Sequence, residues 1–111
     1  MSTDGGADNH DIGELPVKNA AAISPDKLAL ACVDFLWKQD AALRSLGLER
    51  LSIKIGQVTV AMTVLPAMAN ALGITHGGAI FAFADSAFSL ACNTYNERTI
   101  SAHCGISFLR Q

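Results

Sequence analysis

The stretch His76-Gly77-Gly78-Ala79-Ile80-Phe81-Ala82-Phe83-Ala84-Asp85-Ser86-Ala87-Phe88-Ser89-Leu90-Ala91-Cys92-Asn93-Thr94-Tyr95 decides how this chain is read. Its apolar residues cover nearly the whole circumference of a helix, and a helix apolar all round is expected to be buried on all sides. Asp85 is the one charged residue between Gly77 and Tyr95. A buried carboxylate without a partner is expensive, so Asp85 must be paired, protonated, beside a cavity, or turned to water. Two readings follow: a carboxylate that faces solvent or a neighbouring loop, or a general base held in a site.

His76-Gly77-Gly78 stands where this helix starts. The first backbone N–H groups of a helix lack internal partners and carry partial positive charge. Glycine lets a ligand come close to them. They are suited to polarise a carbonyl in the manner of an oxyanion hole, with His76 orienting the ligand or capping the helix. A glycine pair before a helix is also an ordinary turn. Asp85 follows Gly77 by eight residues, which is about 12 Å along a helix axis. One carbonyl does not touch both points on a single helix. Two copies solve this, the helix start of one facing Asp85 of the other, so the spacing favours a two-fold dimer with two equivalent sites.

Working outward, Ser24-Pro25-Asp26 opens an earlier helix: Ser24 caps it, Pro25 suits its first turn, and Asp26 complements its dipole. Leu28, Cys32, Phe35 and Leu36 recur at helical spacing. Asp40 caps a short turn, Ala41–Leu46, that Gly47 stops. The period then changes to two. Leu51, Ile53 and Ile55 alternate with polar residues, and after Gly56-Gln57 so do Val58, Val60, Met62 and Val64, which reads as an antiparallel hairpin. Pro66 ends it and Ala67–Thr75 is a loop. Past the turn Asn96-Glu97-Arg98, residues Thr99–Arg110 alternate again, with Ile100, Ala102, Cys104, Ile106 and Phe108 on one face, and are expected to form a third strand. Residues 1–23 lack a sustained apolar period and are expected to be a flexible arm, leaving one domain over 24–111.

Composition narrows the function classes. The 111 residues hold at most one domain. Half are apolar and 16% are charged, against roughly 25% in a typical soluble domain. That deficit is expected where another copy covers part of the surface. A net charge of −2 leaves no electrostatic footprint for nucleic acid. Pro66, Asn70 and Asp85 interrupt the apolar stretches, so no membrane span is expected. The start has four acidic residues by Glu14 and no apolar core, unlike a signal peptide. Cys32, Cys92 and Cys104 are odd in number and lack CxxC spacing, which fits reduced thiols in a cytoplasmic protein better than disulfides or zinc. The three histidines show no ligand spacing, so no metal is expected. Ser86, Ser89 and Ser107 lack a nearby His–Asp pattern, which argues against a serine hydrolase.

At Asn70, His76-Gly77-Gly78, Phe81 to Asp85, Ala91-Cys92-Asn93 and Phe108-Leu109-Arg110 the sequence resembles the hotdog-fold acyl-CoA thioesterases of the phenylacetic acid degradation type. Leu46-Gly47-Leu48 through Ala61-Met62-Thr63-Val64 is similar too, so the resemblance runs from about Ser24 to Arg110. It implies an α+β fold in which an antiparallel sheet wraps a long central helix, and a homo-oligomer, dimer or tetramer. It implies hydrolysis of acyl-CoA thioesters of the phenylacetyl or hydroxyphenylacetyl kind, without cofactor, metal, nucleic acid or membrane. Residue by residue, Asp85 matches the carboxylate that activates water or attacks the thioester carbon. Gly77 matches the backbone donor that polarises the carbonyl from the other protomer. His76 matches the neighbour that positions the thioester, and Asn70 the loop amide that holds water or carbonyl. Gly78 and Ser101 match positions lining the substrate. Where relatives continue from Phe-Leu-Arg into further strands, this sequence stops at Gln111, so the fold is expected to be incomplete at its C-terminal end. Three strands are too few to wrap the helix, and the third offers an unpaired edge. A non-catalytic acyl-CoA-binding or assembly-defective protein is the alternative. A hotdog hydratase is a third, less favoured because Asp85 stands where such enzymes generally place a histidine.

Overall fold

In a computed structural model of the chain, residues 13–110 are described. Helix α1, Pro25–Gln39, begins as its sequence dictates: the Ser24 side chain accepts from the Lys27 N–H and Pro25 occupies the first turn. The Asp40 carboxylate then accepts from the N–H groups of Ala42 and Leu43 and starts the short helix α2, Ala41–Ser45. Strands β1, Glu49–Lys54, and β2, Gln57–Ala61, form a two-stranded antiparallel sheet. Helix α3, Gly77–Asn93, follows a loop that contains one 3-10 turn, Pro66–Met68.

The hairpin register pairs Ile53 with Val58 and Arg50 with Val60, with an irregularity between Arg50 and Ser52. Leu51 falls in that irregularity and is exposed. A one-residue insertion breaks strict alternation, so Leu51 does not join Ile53 on the apolar face. Ile53, Val58, Val60 and Met62 pack against a core of Val33 and Leu43, Leu48 and Leu90. Arg50 pairs with Asp34 of α1 and lies 5.1 Å from the centroid of the Trp37 ring. Helix α3 reaches this core through Leu90 and the half-buried Phe83.

A knot of polar groups closes the C-terminal end of α3. Asn93, Thr94 and Asn96 are all buried. The Asn93 amide donates to the carbonyls of Ser89 (2.8 Å) and Thr99 (2.9 Å), and its oxygen accepts from the Thr99 N–H at 2.9 Å. The Thr94 hydroxyl donates to the Ala91 carbonyl and accepts from the Gly56 N–H, both at 2.7 Å. Asn96 accepts from the Cys32 thiol at 3.8 Å. These contacts bind α1, the hairpin turn and the segment after α3 to one point.

Two expectations are corrected. Helix α3 is not enclosed: within it only Leu90 and Asn93 are buried, and Phe88 is 46% exposed. Periodicity reports the surface a helix needs covered, whereas covering it takes other elements. Residues 99–110 form no strand. Alternation supplies two faces, but a strand also needs to lie along a partner edge, and β1 pairs with β2 alone. Instead the segment follows α3 in the opposite direction, touching it through Thr99 at Asn93, Cys104 at Asp85 and Phe108 at Gly77. Of the expected arm, 1–23, the structure describes the second half. Its residues 1–12 lie outside the described residues, but Leu15 is buried, Ala20–Ala22 form a 3-10 turn, and the Arg98 N–H donates to the Gly13 carbonyl at 2.6 Å. Absence of an apolar period does not prevent one leucine and a few backbone bonds from docking a segment.

Candidate active site at the head of the long helix

The loop before α3 is organised by Asn70. Its side-chain oxygen accepts from the N–H groups of Leu72 (2.9 Å) and Ile74 (3.2 Å). Its backbone N–H donates to the Ile74 carbonyl at 2.7 Å, and the Gly73 N–H donates to the Asn70 carbonyl at 3.0 Å. Ala69 and Thr75 form a β-bridge, and the His76 N–H donates to the Met68 carbonyl at 2.6 Å. Since both partners of the side-chain oxygen are N–H groups, the amide orientation is fixed by the network. The amide nitrogen keeps its two donors, with no acceptor among the described residues.

His76 is the N-cap of α3. It has extended backbone, and its Nδ1 accepts from the Gly78 N–H at 3.2 Å. An accepting Nδ1 is unprotonated, so the neutral ring in this geometry carries its proton on Nε2, where it can donate. The cap consumes the Gly78 N–H. The N–H groups of Ala79 and Ile80 go to the His76 carbonyl. The Gly77 N–H has no acceptor among the described residues. Of the first-turn donors, it is the one left for a ligand, and it sits at the positive end of a 17-residue helix.

Gly77 and Asn70 open on a cavity of about 760 Å³. Val64 and Leu65, Ile74 and Ile80, and Phe108 and Leu109 supply most of its wall, with Arg110 at one side. A mostly apolar hollow with a few convergent polar groups is the usual form of a small-molecule site. Gly77 has no side chain to spare here: a Cβ on it would lie 3.0 Å from the Phe108 ring.

Asp85 is in the same helix but not in the wall of this cavity. It is exposed, and the Cys104 thiol donates to its carboxylate at 3.9 Å. The helix is continuous from Gly77 to Asn93, so the separation of about 12 Å along the axis stands. Of the residues singled out in the sequence, the single chain therefore brings Asn70 and Gly77 to one cavity, with His76 and Gly78 beside Gly77 but outside its wall. It does not bring Asp85 to them. Ser101 is exposed and outside the cavity wall.

Sequence reasoning missed the cavity walls, Leu65 and Phe108 above all. Phe108 shares its parity with Cys104, and both touch α3, so the alternation of 99–110 held that signal. It also missed Asn93, whose side chain anchors the segment that carries Phe108.

Residues 72–111 match the thioesterase superfamily model. The acyl-coenzyme A thioesterase PaaI of Escherichia coli is 37% identical over 75 residues, covering 68% of this chain and 54% of that protein. A protein of Archaeoglobus fulgidus is 32% identical over 77 residues, covering 69% of this chain and 50% of its own length. The chain thus spans about half the length of the curated relatives it matches. Among solved structures, that of E. coli PaaI, from the phenylacetic acid degradation operon, superposes with a TM-score of 0.76 at 34% identity. The match covers 78% of this chain and 63% of that one. The chain thus matches the thioesterase superfamily over residues 72–111 and shares the α+β hotdog fold of the E. coli structure.

Proposed function

We propose that the chain works as an acyl-CoA thioesterase whose substrates are aryl-acetyl thioesters of the phenylacetyl or hydroxyphenylacetyl kind. The observation that carries this reading is the unpaired Gly77 N–H at the head of α3, opening with Asn70 on an apolar cavity. A thioester carbonyl placed there receives a backbone hydrogen bond that strengthens as its oxygen gains charge. The acyl group takes the apolar hollow. His76 holds the first turn through its cap and offers Nε2 to the thioester. The Asn70 amide nitrogen is a second donor for the carbonyl or the attacking water.

Asp85 is the base that takes a proton from water, or the nucleophile, and it acts from a second copy. Its distance from Gly77 along a continuous helix supports this. So do its exposure and the exposed apolar side chains Phe88, Ile100 and Leu109, which a second copy would cover. Dimers, paired again or not into tetramers, then hold two equivalent sites each. Gly78 lies against the same substrate, and a partner's approach is what would bring Ser101 to it. No helix among the described residues is long and apolar enough to cross a membrane. Three free thiols support a cytoplasmic setting. The name of the E. coli relative supports the substrate class.

Thiol release from phenylacetyl-CoA by the wild-type chain tests this reading. Asp85→Asn removes it and leaves the far-ultraviolet helix signal unchanged. Unchanged turnover in that variant would contradict the role of Asp85. A second reading, acyl-CoA binding without hydrolysis, is favoured by one observation: the cavity of the single chain holds Gly77 and Asn70 but not Asp85. It predicts tight binding of the thioester and its full recovery intact.

A further inference from the structure

We propose that Phe108 is the residue that makes this cavity select aromatic over aliphatic acyl groups. The inference rests on the thioester reading above and names what that reading leaves open, the group that discriminates the acyl chain. Its ring atoms lie 3.0, 3.3 and 3.6 Å from where a Gly77 Cβ would stand, so the ring is seated on the first turn of α3 beside the free N–H. It is also part of the cavity wall. A carbonyl bound at Gly77 therefore carries its acyl group out past Phe108.

The remaining wall is aliphatic or small and polar, apart from Arg110: Val64, Leu65, Ile74 and Ile80 provide area but no π face. Apolar area attracts any acyl chain in proportion to the surface covered. An aromatic partner adds an offset-stacked or edge-to-face term that only another ring collects. Phe108 is the one aromatic side chain in the wall and is still 56% exposed, so its ring has surface left for a ligand. Gly77 is tied to the same arrangement, because any larger residue there pushes the ring away.

The test uses the 111-residue chain with Phe108→Leu and Phe108→Tyr, and two ligands, the non-hydrolysable ketone analogues of phenylacetyl-CoA and hexanoyl-CoA, in which a methylene replaces the thioester sulfur and the carbonyl is kept. Binding is measured by calorimetry and needs no turnover. Leucine keeps the apolar area, so Phe108→Leu is expected to weaken the aryl ligand about two- to tenfold relative to the hexanoyl ligand, while Phe108→Tyr keeps the wild-type ratio. An unchanged ratio in Phe108→Leu overturns the proposal, as does a wild-type chain that binds neither ligand. Selective binding by a wild-type chain that releases no thiol from phenylacetyl-CoA would keep this inference and remove the hydrolytic reading.

Discussion

Asn93→Ala is expected to detach the segment that carries Phe108, and its cost can be worked from the contacts. The Asn93 side chain makes three hydrogen bonds of 2.8 to 2.9 Å, one to Ser89 and two to the backbone of Thr99, and is 4% exposed. A neutral hydrogen bond contributes about 0.5–1.5 kcal/mol net. Thr99 is exposed, so its freed N–H and carbonyl recover water, and the low end applies to those two. The Ser89 carbonyl keeps its helical bond and loses only a second partner. The sum is about 2 kcal/mol, a sizeable share of the roughly 5–15 kcal/mol by which a domain is stable. Thermal unfolding followed by circular dichroism should show a midpoint lower by about 8 °C or more. Limited proteolysis should cut the variant earlier between Thr99 and Arg110 than elsewhere. A midpoint within about 2 °C of wild type, with unchanged cleavage, would refute the idea that Asn93 anchors the segment.

Two further outcomes are expected. Gly56 and Gly47 both have positive φ, +72° and +67°, but a Cβ on Gly56 would stand 2.3 Å from the Tyr95 hydroxyl while one on Gly47 meets nothing within 4 Å. Gly47→Ala should therefore cost about 1–2 kcal/mol for the left-handed backbone alone, Gly56→Ala measurably more, and Tyr95→Ala should remove the excess in a double-mutant cycle. Burial pushes the Cys32 thiol up from its ordinary value of 9.0, with the backbone of Asn96 pulling the other way. The folded chain then keeps this proton where the unfolded chain releases it, so stability falls as pH rises through about 9, and Cys32→Ala should flatten that decline in urea titrations.

Much of the fold was legible because the local signals agree with one another. Ser24, Asp40 and His76 each cap the helix their position announces, and the hairpin forms around Gly56 as its alternation requires. The exceptions share a cause. Thr99–Arg110 and the all-round apolar α3 have patterns that specify a need for neighbours, and a pattern does not provide them. Leu51 fails for a different reason, since a single irregularity in the ladder turns it out of register with Ile53. In the candidate site, the four residues clustered in sequence, Asn70, His76, Gly77 and Gly78, are also clustered in space. Phe108 was not legible as a wall because its contact with Gly77 depends on where the segment after α3 is tied, and Asn93 ties it.

The central claim is that Gly77 of one copy and Asp85 of another make one site, and complementation tests it most directly. Gly77→Pro disables this half of the site, removing the N–H and displacing the Phe108 ring beside it, while the first helical position and the extended backbone of His76 both suit a proline. Each of the two variants, Gly77→Pro and Asp85→Asn, is expected to release no thiol from phenylacetyl-CoA on its own. Unfolded and refolded together in equal amounts, they form mixed dimers in which one of the two sites has both groups intact, and about a quarter of the wild-type rate should return. A mixture as inactive as its two parents, beside an active wild-type chain, would contradict the account.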